Sequence, residues 1–366
     1  MNVQKPLAET AYKEQLEALA EYDKNNRRPE GWKLSPRAVR TFILGSEQPV
    51  CGVQIPQKFY GDDSLVERAI VTLAGSRGLM LVGEPGTAKT MLSELLSAAI
   101  SGCSTNTVQG TAGTTEDNIK YSWNYALLLS KGPIKEALVP APVYKGMNEG
   151  IITRFEELTR CPLEVQDTLV SIMSDRVMNI PELEGNDTLL FARKGFNIIG
   201  TANTRDKGVN DMSSALKRRF NFETVQPVKN IKLEAKIISE QCARMLAEAG
   251  IEAEIQTDAA EILATVFSEL RSGISQEKAS IPKMSCIMST AEAVSVYYQS
   301  ALDAEYYGSG RISMNKLTEN LLGVVLKENR DDLPKLKEYY TGAVKLRADK
   351  YGGIWNNLYD SRSCIK

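Results

Sequence analysis

The sequence predicts an α/β fold, in which a parallel β-sheet flanked by helices is followed by an all-helical domain. Short apolar runs alternate with helical patterns between residues 78 and 225. That alternation is typical of a parallel sheet with helices on both faces. After Pro227 the strand-like runs stop and helical patterns continue. A glycine-rich loop at residues 83–90 joins the first apolar run to the helix that follows it.

The chain divides by pattern into three predicted parts. Helical periodicity at residues 5–22 and 36–44 indicates an N-terminal helical extension over residues 1–50. The alternating pattern predicts an αβα domain over residues 51–228, and residues 229–366 form the helical domain. The predicted helices of that last domain are 231–249, 259–271, 285–307, 315–327 and 333–349.

The predicted strands are short and apolar, as buried parallel strands are. Their predicted bounds are 78–82, 106–109, 150–155, 196–202 and 221–225. One residue does not fit this pattern, since Arg154 interrupts what would otherwise be an apolar central strand.

The composition excludes several classes of chemistry. Lys and Arg number 44 against 46 Asp and Glu, a net charge of −2 that argues against a nucleic-acid partner. The chain has no histidine, which removes Ser–His and Cys–His catalysis and imidazole metal ligands. The six cysteines show no paired spacing, so we expect reduced thiols. We find no long apolar run and no signal-peptide core at the N-terminus, so we expect a cytoplasmic protein with no membrane segment.

The loop at residues 83–90 has the composition of a phosphate-binding loop. Its small residues let backbone N–H groups face phosphate oxygens at the positive end of the next helix. Lys89 would reach the β- and γ-phosphates, and the Thr90 hydroxyl would hold Mg²⁺. Ala88 stands where the general pattern has glycine, and we expect it to adopt helical dihedral angles at little cost. The alternative is a simple strand–turn–helix corner with a solvated lysine. The predicted nucleotide-binding residues of the loop are Gly83, Glu84, Pro85, Gly86, Thr87, Ala88, Lys89 and Thr90.

Polar residues follow the next two central strands. Glu156 would hold the Mg²⁺ shell with Thr90, and Glu157 would orient the attacking water or act as the base. Glutamate stands at the first of these positions, where aspartate is commoner, and two solvated glutamates on a loop are the alternative. Asn203 ends a strand and can hydrogen-bond the attacking water, although an isolated asparagine there is usually a turn former.

A basic pair, Arg218 and Arg219, precedes the last predicted strand. Beside a nucleotide site, an arginine can act as a finger on the γ-phosphate of a neighbouring subunit, which is worth about 10³–10⁵ in rate. The alternative is a solvated helix end whose cations complement the helix dipole. If Arg219 is a finger, an isolated subunit should be nearly inert.

In this order the motifs resemble those of the AAA+ ATPases, P-loop NTPases whose sheet domain is followed by a helical lid. The segments GEPGTAKT, GPIKEAL, EELTRCPLEVQDTLVSIMSD and GTANTRDKGVNDMSSALKRRF are similar to the MoxR branch and its YehL-like members. The resemblance covers about residues 51–300. It implies the Walker A pair Lys89 and Thr90, the Walker B pair Glu156 and Glu157, sensor-1 Asn203, and an arginine finger at Arg219 or, second, Arg218.

The resemblance also implies further assignments. Tyr60 and Gly61 match the segment that contacts adenine. The sensor-2 arginine has no clean counterpart, and Lys283 is the nearest match. An insertion in helix 2 would fall near residues 120–131, where clustered aromatic and leucine side chains would either line a pore or pack internally. A pre-sensor hairpin would span residues 177–192.

The resemblance implies a ring-forming enzyme, a hexamer of identical subunits, that binds ATP or ADP with Mg²⁺. Hydrolysis of ATP would drive the remodelling of a partner protein, and members of the MoxR branch act with partners that carry a von Willebrand A domain. Glu156, Arg154 and the missing sensor-2 arginine leave open a nucleotide-binding assembly scaffold with little or no hydrolysis. The third alternative, a nucleic-acid motor or clamp loader, is disfavoured by the charge balance.

Overall fold

The computed structural model describes residues 4–203, 211–251, 255–327 and 329–366. Residues 204–210, which belong to the last of the four motif segments, lie outside the described residues. The chain divides into two compact units, which are Met1–Glu84 with Ala88–Gln226, and Pro85–Thr87 with Pro227–Lys366. We describe each unit by itself.

The N-terminal part of the first unit is helical, as predicted. The pattern at residues 5–22 forms two helices, α1 (Ala8–Ala11) and α2 (Lys13–Tyr22), rather than one. Helix α3 (Pro36–Leu44) begins after Ser35, whose side chain accepts a hydrogen bond from the third helical N–H. Helix α4 (Asp63–Ala74) is capped by Asp62, whose side chain accepts a hydrogen bond from the N–H of Ser64, the second helical residue.

Five parallel strands form the sheet of the first unit. They are β1 (Gly78–Gly83), β2 (Thr107–Gln109), β5 (Thr153–Glu156), β8 (Ile198–Asn203) and β9 (Phe220–Val225). Their order across the sheet is β2–β5–β8–β1–β9, and every neighbouring pair is parallel. The strand predicted from residue 150 begins at Thr153, because Gly150 adopts a left-handed conformation that ends the preceding helix.

Helices and two short hairpins connect these strands. The helices are α5 (Lys89–Ser101), α6 (Tyr125–Lys131), α7 (Pro142–Glu149), α8 (Leu163–Asp175) and α9 (Ser214–Lys217). Strand β3 (Tyr121–Trp123) pairs antiparallel with β4 (Leu138–Pro140) and encloses α6, a pairing that the sequence did not predict. Strand β6 (Val177–Asn179) pairs antiparallel with β7 (Leu189–Phe191), which confirms a hairpin within residues 177–192.

Apolar side chains cover both faces of the sheet. Successive residues of a strand point to opposite faces. Leu79 and Leu81 of β1 accordingly belong to one buried cluster, with Phe42 and Leu92, whereas Met80 belongs to the other, with Phe155. Burial on both sides explains why β1 is a continuous apolar run, whereas the edge strand β9 is partly exposed and alternates apolar with polar residues.

The second unit is helical. Its helices are α10 (Ile231–Glu248), α11 (Thr257–Ser272), α12 (Thr290–Tyr306), α13 (Met314–Val325), α14 (Asp332–Tyr339), α15 (Lys345–Tyr351) and α16 (Ile354–Asp360). The prediction that a helix begins at residue 285 is wrong by five residues. Ser289 and Glu292 form a capping box that starts α12 at Thr290, and the buried Asp332 carboxylate accepts hydrogen bonds from the backbone N–H groups of Ser285 and Cys286. None of the described helices combines the length and apolar character that crossing a bilayer requires.

Candidate functional site

The glycine-rich loop turns sharply between β1 and α5. Gly86 and Ala88 have φ values of 75° and 67°. The expectation that Ala88 is helical is wrong, because its dihedral angles of 67° and 22° are left-handed. It is the N-cap residue, where the chain must turn into α5. A left-handed conformation costs a residue with a Cβ atom roughly 1–2 kcal/mol, and such strain is concentrated at functional sites.

Lys89 lies inside the loop rather than in solvent. Its side chain is buried, with 7% of the residue exposed. Its Nζ donates hydrogen bonds to the carbonyl oxygens of Gly83 at 3.1 Å and Glu84 at 2.7 Å. The ammonium group is therefore placed where the loop would hold an anion, and the alternative of a solvated lysine does not describe this side chain.

The carboxylate of Glu156 is buried next to Thr90. Its Oε2 accepts hydrogen bonds from Thr90 Oγ1 at 2.9 Å and from Thr201 Oγ1 at 2.8 Å. Its Oε1 accepts from Ser93 Oγ and from Arg154 Nη2, both at 2.7 Å. Burial raises the pKa of the Glu156 carboxyl, but the charge of Arg154 and the donated hydrogen bonds outweigh burial, so this pKa lies below its ordinary value. Glu156 is thus an ionised group in a fixed position.

Glu157 turns away from the strand direction and is partly exposed. Its backbone is left-handed, with a φ of 54° and a ψ of 44°. Its N–H donates to Thr201 Oγ1 at 3.0 Å, and its carboxylate lies 2.7 Å from Arg160 Nε. The backbone of Gly110 approaches closely, since a Cβ atom there would lie 2.4 Å from the carbonyl oxygen of Glu157. The conformation of Glu157 therefore depends on a glycine at residue 110.

The sheet brings the predicted polar residues to one edge. Asn203 is paired with Gly83 in the register of β8 and β1, and Glu156 is the last residue of β5. The carboxyl ends of parallel strands meet at the same edge, which is the usual ligand site of open α/β sheets. The first residues of the loop, the two glutamates and Asn203 therefore share that edge.

The basic pair lies at the opposite edge. The carbonyl oxygen of Arg219 accepts a hydrogen bond from the N–H of Gly78, at the amino end of β1. Strand β1 runs from there to Gly83, and at about 3.3 Å per residue that separation is roughly 17 Å. Arg219 donates to Ser174 Oγ and to the carbonyl oxygen of Ala215, whereas the Arg218 side chain is exposed. Neither arginine converges with the loop of its own chain.

The remaining predicted residues lie apart from these groups in sequence. Tyr60 and Gly61 directly precede the Asp62 cap of α4, in the first unit. Lys283 belongs to the second unit, where its side chain is exposed and lies seven residues before α12. The first turn of α12 contains Thr290 and Glu292 and no basic residue, so Lys283 is not at the start of that helix.

Three contacts of Glu156 come from residues that sequence reasoning did not assign to the site. Ser93 follows Thr90 by three residues on α5, and Thr201 precedes Asn203 by two on β8. Residues so spaced share a face of a helix or a strand. On β5, Arg154 likewise precedes Glu156 by two residues. These periodicities are the signal that could have identified all three.

Two family models match the chain. The model described as "AAA domain (dynein-related subfamily)" matches residues 78–220, and the one described as "YehL-like AAA+ ATPase C-terminal domain" matches residues 232–366. Over 361 residues the chain is 47% identical to the uncharacterized protein YehL of Escherichia coli (strain K12), covering 99% of the chain and 97% of YehL. The chain belongs to the YehL-like AAA+ ATPases. The family and the fold predicted from the sequence are thereby confirmed.

Other relatives of this YehL-like chain are more distant. The uncharacterized protein YojN of Bacillus subtilis (strain 168) is 25% identical over 184 residues, which cover 50% of the chain and 59% of YojN. Among solved structures, NtrX from Brucella abortus in complex with ADP has a TM-score of 0.49 and 12% identity, covering 84% of the chain and 69% of NtrX.

Proposed function

We propose that this YehL-like chain binds ATP with Mg²⁺ on the loop at residues 83–90 and hydrolyses ATP in a ring of identical subunits, a hexamer, to remodel a partner protein. One observation carries the proposal. The buried Glu156 carboxylate lies 2.9 Å from the hydroxyl of Thr90. Thr90 directly follows Lys89, whose Nζ points into the loop. A phosphate-binding lysine, a hydroxyl and a carboxylate are the groups that hold a metal–triphosphate in P-loop enzymes.

The residues present suit magnesium. Mg²⁺ prefers oxygen ligands, keeps several of its waters, and is usually held by one or two carboxylates plus the phosphates of the substrate. Thr90 Oγ1 and Glu156 Oε2 offer a hydroxyl and an ionised carboxylate oxygen side by side. When bound, the ion would neutralise negative charge on the phosphates.

Each residue at the edge of the sheet has a role in this proposal. Lys89 exchanges its two carbonyl partners for phosphate oxygens. Glu157 leaves Arg160 and orients the attacking water, and Asn203 holds that water from the neighbouring strand. Three residues that do not belong to this edge complete the proposal. Tyr60 and Gly61 contact the adenine, and Lys283 is the sensor-2 candidate from the second unit. The positions of Glu157 and Asn203, at the ends of adjacent strands, support this division of roles.

The location of the basic pair supports a shared site. Arg218 and Arg219 lie at the edge of the sheet opposite to Gly83, so a subunit does not offer them to its own triphosphate. In a ring they face a neighbour, where Arg219, or second Arg218, stabilises the charge of the γ-phosphoryl group. Ring assembly then switches on the activity of each subunit.

Binding is tested first with the purified protein and a fluorescent ATP analogue. Lys89→Ala should abolish binding, whereas Glu157→Gln should bind nucleotide and release no phosphate. Normal hydrolysis by the Glu157→Gln variant would show that the assigned water-orienting residue is wrong. Absence of any binding of ATP or ADP by the wild-type protein would refute the whole proposal.

A mixing experiment tests the shared site. Arg219→Ala should keep nucleotide affinity and lose hydrolysis, and Arg218→Ala tests the second candidate in the same assay. In an equal mixture with Glu157→Gln, about a quarter of the interfaces combine an intact Glu157 with an intact Arg219 from the adjacent chain. Recovered phosphate release in the mixture supports sharing. A mixture as inactive as its two components would mean that both residues act within one chain.

A scaffold that binds nucleotide with little or no turnover is the second candidate function. Two ion pairs favour it, since Arg154 contacts the Glu156 carboxylate and Arg160 contacts that of Glu157. Assembled protein that retains ATP and releases no phosphate would establish the scaffold. The resemblance to the MoxR branch further suggests a partner with a von Willebrand A domain, which a pull-down with a non-hydrolysable ATP analogue would identify.

A further inference from the structure

We propose that Arg154 is a positioning residue for the metal site, which fixes the Glu156 carboxylate so that Oε2 alone faces Thr90 and the magnesium ion. The inference rests on the proposed binding of ATP with Mg²⁺. It assigns a role to Arg154, a charged residue that is buried on the interior strand β5.

Within the described residues, each of the three nitrogen atoms of the Arg154 guanidinium group donates a hydrogen bond. The residue is 4% exposed. Its Nη2 donates to Glu156 Oε1 at 2.7 Å, its Nε to Ser93 Oγ at 2.9 Å, and its Nη1 to the carbonyl oxygen of Ser104 at 2.7 Å. Glu94 lies 3.7 Å from the same Nη1. An arginine bonded in this way has little freedom to move, and so it is a fixed reference point for Glu156.

These contacts divide the two oxygens of Glu156 between two kinds of partner. Oε1 is occupied by Arg154 and by Ser93, which is itself fully buried. Within the described part of the chain, Oε2 accepts from two hydroxyl groups, those of Thr90 and Thr201. A hydroxyl group can rotate and present a lone pair, whereas a guanidinium group has no acceptor to offer a cation. Oε2 is therefore the oxygen available to the metal shell.

The length of glutamate explains why a clamp is needed at this position. Glutamate carries one more methylene group and one more side-chain torsion than aspartate, so an unclamped carboxylate there would have more rotamers to choose from. Arg154 selects one of them. Removing a group that hydrogen-bonds to a metal ligand and orients it typically weakens metal affinity by about 10- to 100-fold.

Because Arg154 and Glu156 act as a pair, we expect that changing both residues restores Mg²⁺ binding that either change alone weakens. Shortening Glu156 to aspartate withdraws the carboxylate from Arg154 and leaves a buried cation without its partner, which is costly. Replacing Arg154 by methionine leaves a buried carboxylate without its clamp. Making both changes removes the buried cation together with the longer carboxylate, and the shorter carboxylate has no need of the arginine.

The experiment measures the Mg²⁺ concentration that half-saturates the binding of a fluorescent ADP analogue, with phosphate release as a second readout. Arg154→Met and Glu156→Asp should each raise this concentration by about 10-fold or more, and the double variant should return to within about threefold of wild type. Glu94→Gln, which removes the more distant neighbour of Arg154, is the control and should leave it unchanged. Circular dichroism establishes that each variant is folded before titration.

The outcomes separate this inference from the proposed function. Wild-type protein that binds ADP in a Mg²⁺-dependent way, with Arg154→Met at the wild-type value, would overturn the role of Arg154 and leave the proposed function standing. A double variant whose impairment is the product of the two single effects would show that Arg154 acts independently of Glu156 and does not position it. If only the hydrolysis readout fails in the wild type, the binding titration still decides the role of Arg154. If wild-type protein binds no nucleotide, both proposals fall together.

Discussion

Replacing Ala88 by glycine should stabilise the first unit, because Ala88 holds a conformation that its Cβ atom disfavours. Its dihedral angles are 67° and 22°. Removing the strain of the left-handed conformation should raise the free energy of unfolding by roughly 1–2 kcal/mol. The greater freedom of glycine in the unfolded chain should lower it by about 0.5–1 kcal/mol. The net gain should be about 0.5–1 kcal/mol, which corresponds to roughly 1–4 °C in Tm for a unit of this size.

The same helix supplies a matched control of opposite sign. Gly102 ends α5 with dihedral angles of 68° and 20°, nearly those of Ala88. A Cβ atom at Gly102 would meet only the side chain of Lys33, at an ordinary contact distance of 3.6 Å. Gly102→Ala should therefore destabilise the unit by about 0.5–1 kcal/mol or somewhat more, through backbone strain alone.

The assay is thermal and urea-induced unfolding of the full chain, followed by circular dichroism for both variants and wild type. A stabilised Ala88→Gly together with a destabilised Gly102→Ala supports the left-handed assignment at residue 88. A loss of stability in Ala88→Gly, with Gly102→Ala behaving as expected, would show that Ala88 is not left-handed in solution. Nucleotide titration of Ala88→Gly then shows whether the strain contributes to binding.

Three further predictions concern single residues. Gly110→Ala should push the backbone of Glu157 and lower phosphate release by about 100-fold with little change in nucleotide affinity, as steady-state kinetics and a binding titration would show. Burial lowers the pKa of Lys58 to about 7, so the unfolded chain binds a proton that the folded chain lacks between pH 7 and about 10. Stability should therefore rise by about 2 kcal/mol between pH 7 and pH 9 in urea unfolding, and Lys58→Met should lack this rise. Arg347→Met should destabilise the second unit by about 3–5 kcal/mol in the same assay, because it leaves the buried Glu269 carboxylate without its ion pair.

The sheet was predictable because each of its strands carries its own signal. A strand that is buried on both faces reads as a short apolar run, and the turn residues around it fix its bounds to within a few residues. The hairpin of β3 and β4 was missed for the opposite reason. Its two strands are separated along the chain by α6, so no short turn between them marks a hairpin in the sequence.

Two local errors have identifiable physical causes. The predicted start of α12 at residue 285 is too early, although Ser289 and Glu292 carry the S-x-x-E signature of a capping box that marks the true start. The conformation of Ala88 could not be read from its identity, since alanine favours right-handed helices. The turn from β1 into α5 imposes the left-handed conformation from outside the residue.

The position of the arginine pair limits the mechanisms open to a single chain. Lys89, Glu156 and Asn203 are brought to the carboxyl edge of the sheet by three different strands or their following loop, so one chain brings together the residues that we propose for the triphosphate and its metal. The backbone of Arg219 is bonded to the amino end of β1, and rearranging a side chain cannot cross the roughly 17 Å length of that strand without unfolding it. The arginine pair can therefore reach a γ-phosphoryl group only when that group is bound by a second subunit. The mixing experiment tests this, because an Arg219→Ala chain with an intact Glu157 regains Arg219 only from a neighbouring Glu157→Gln chain.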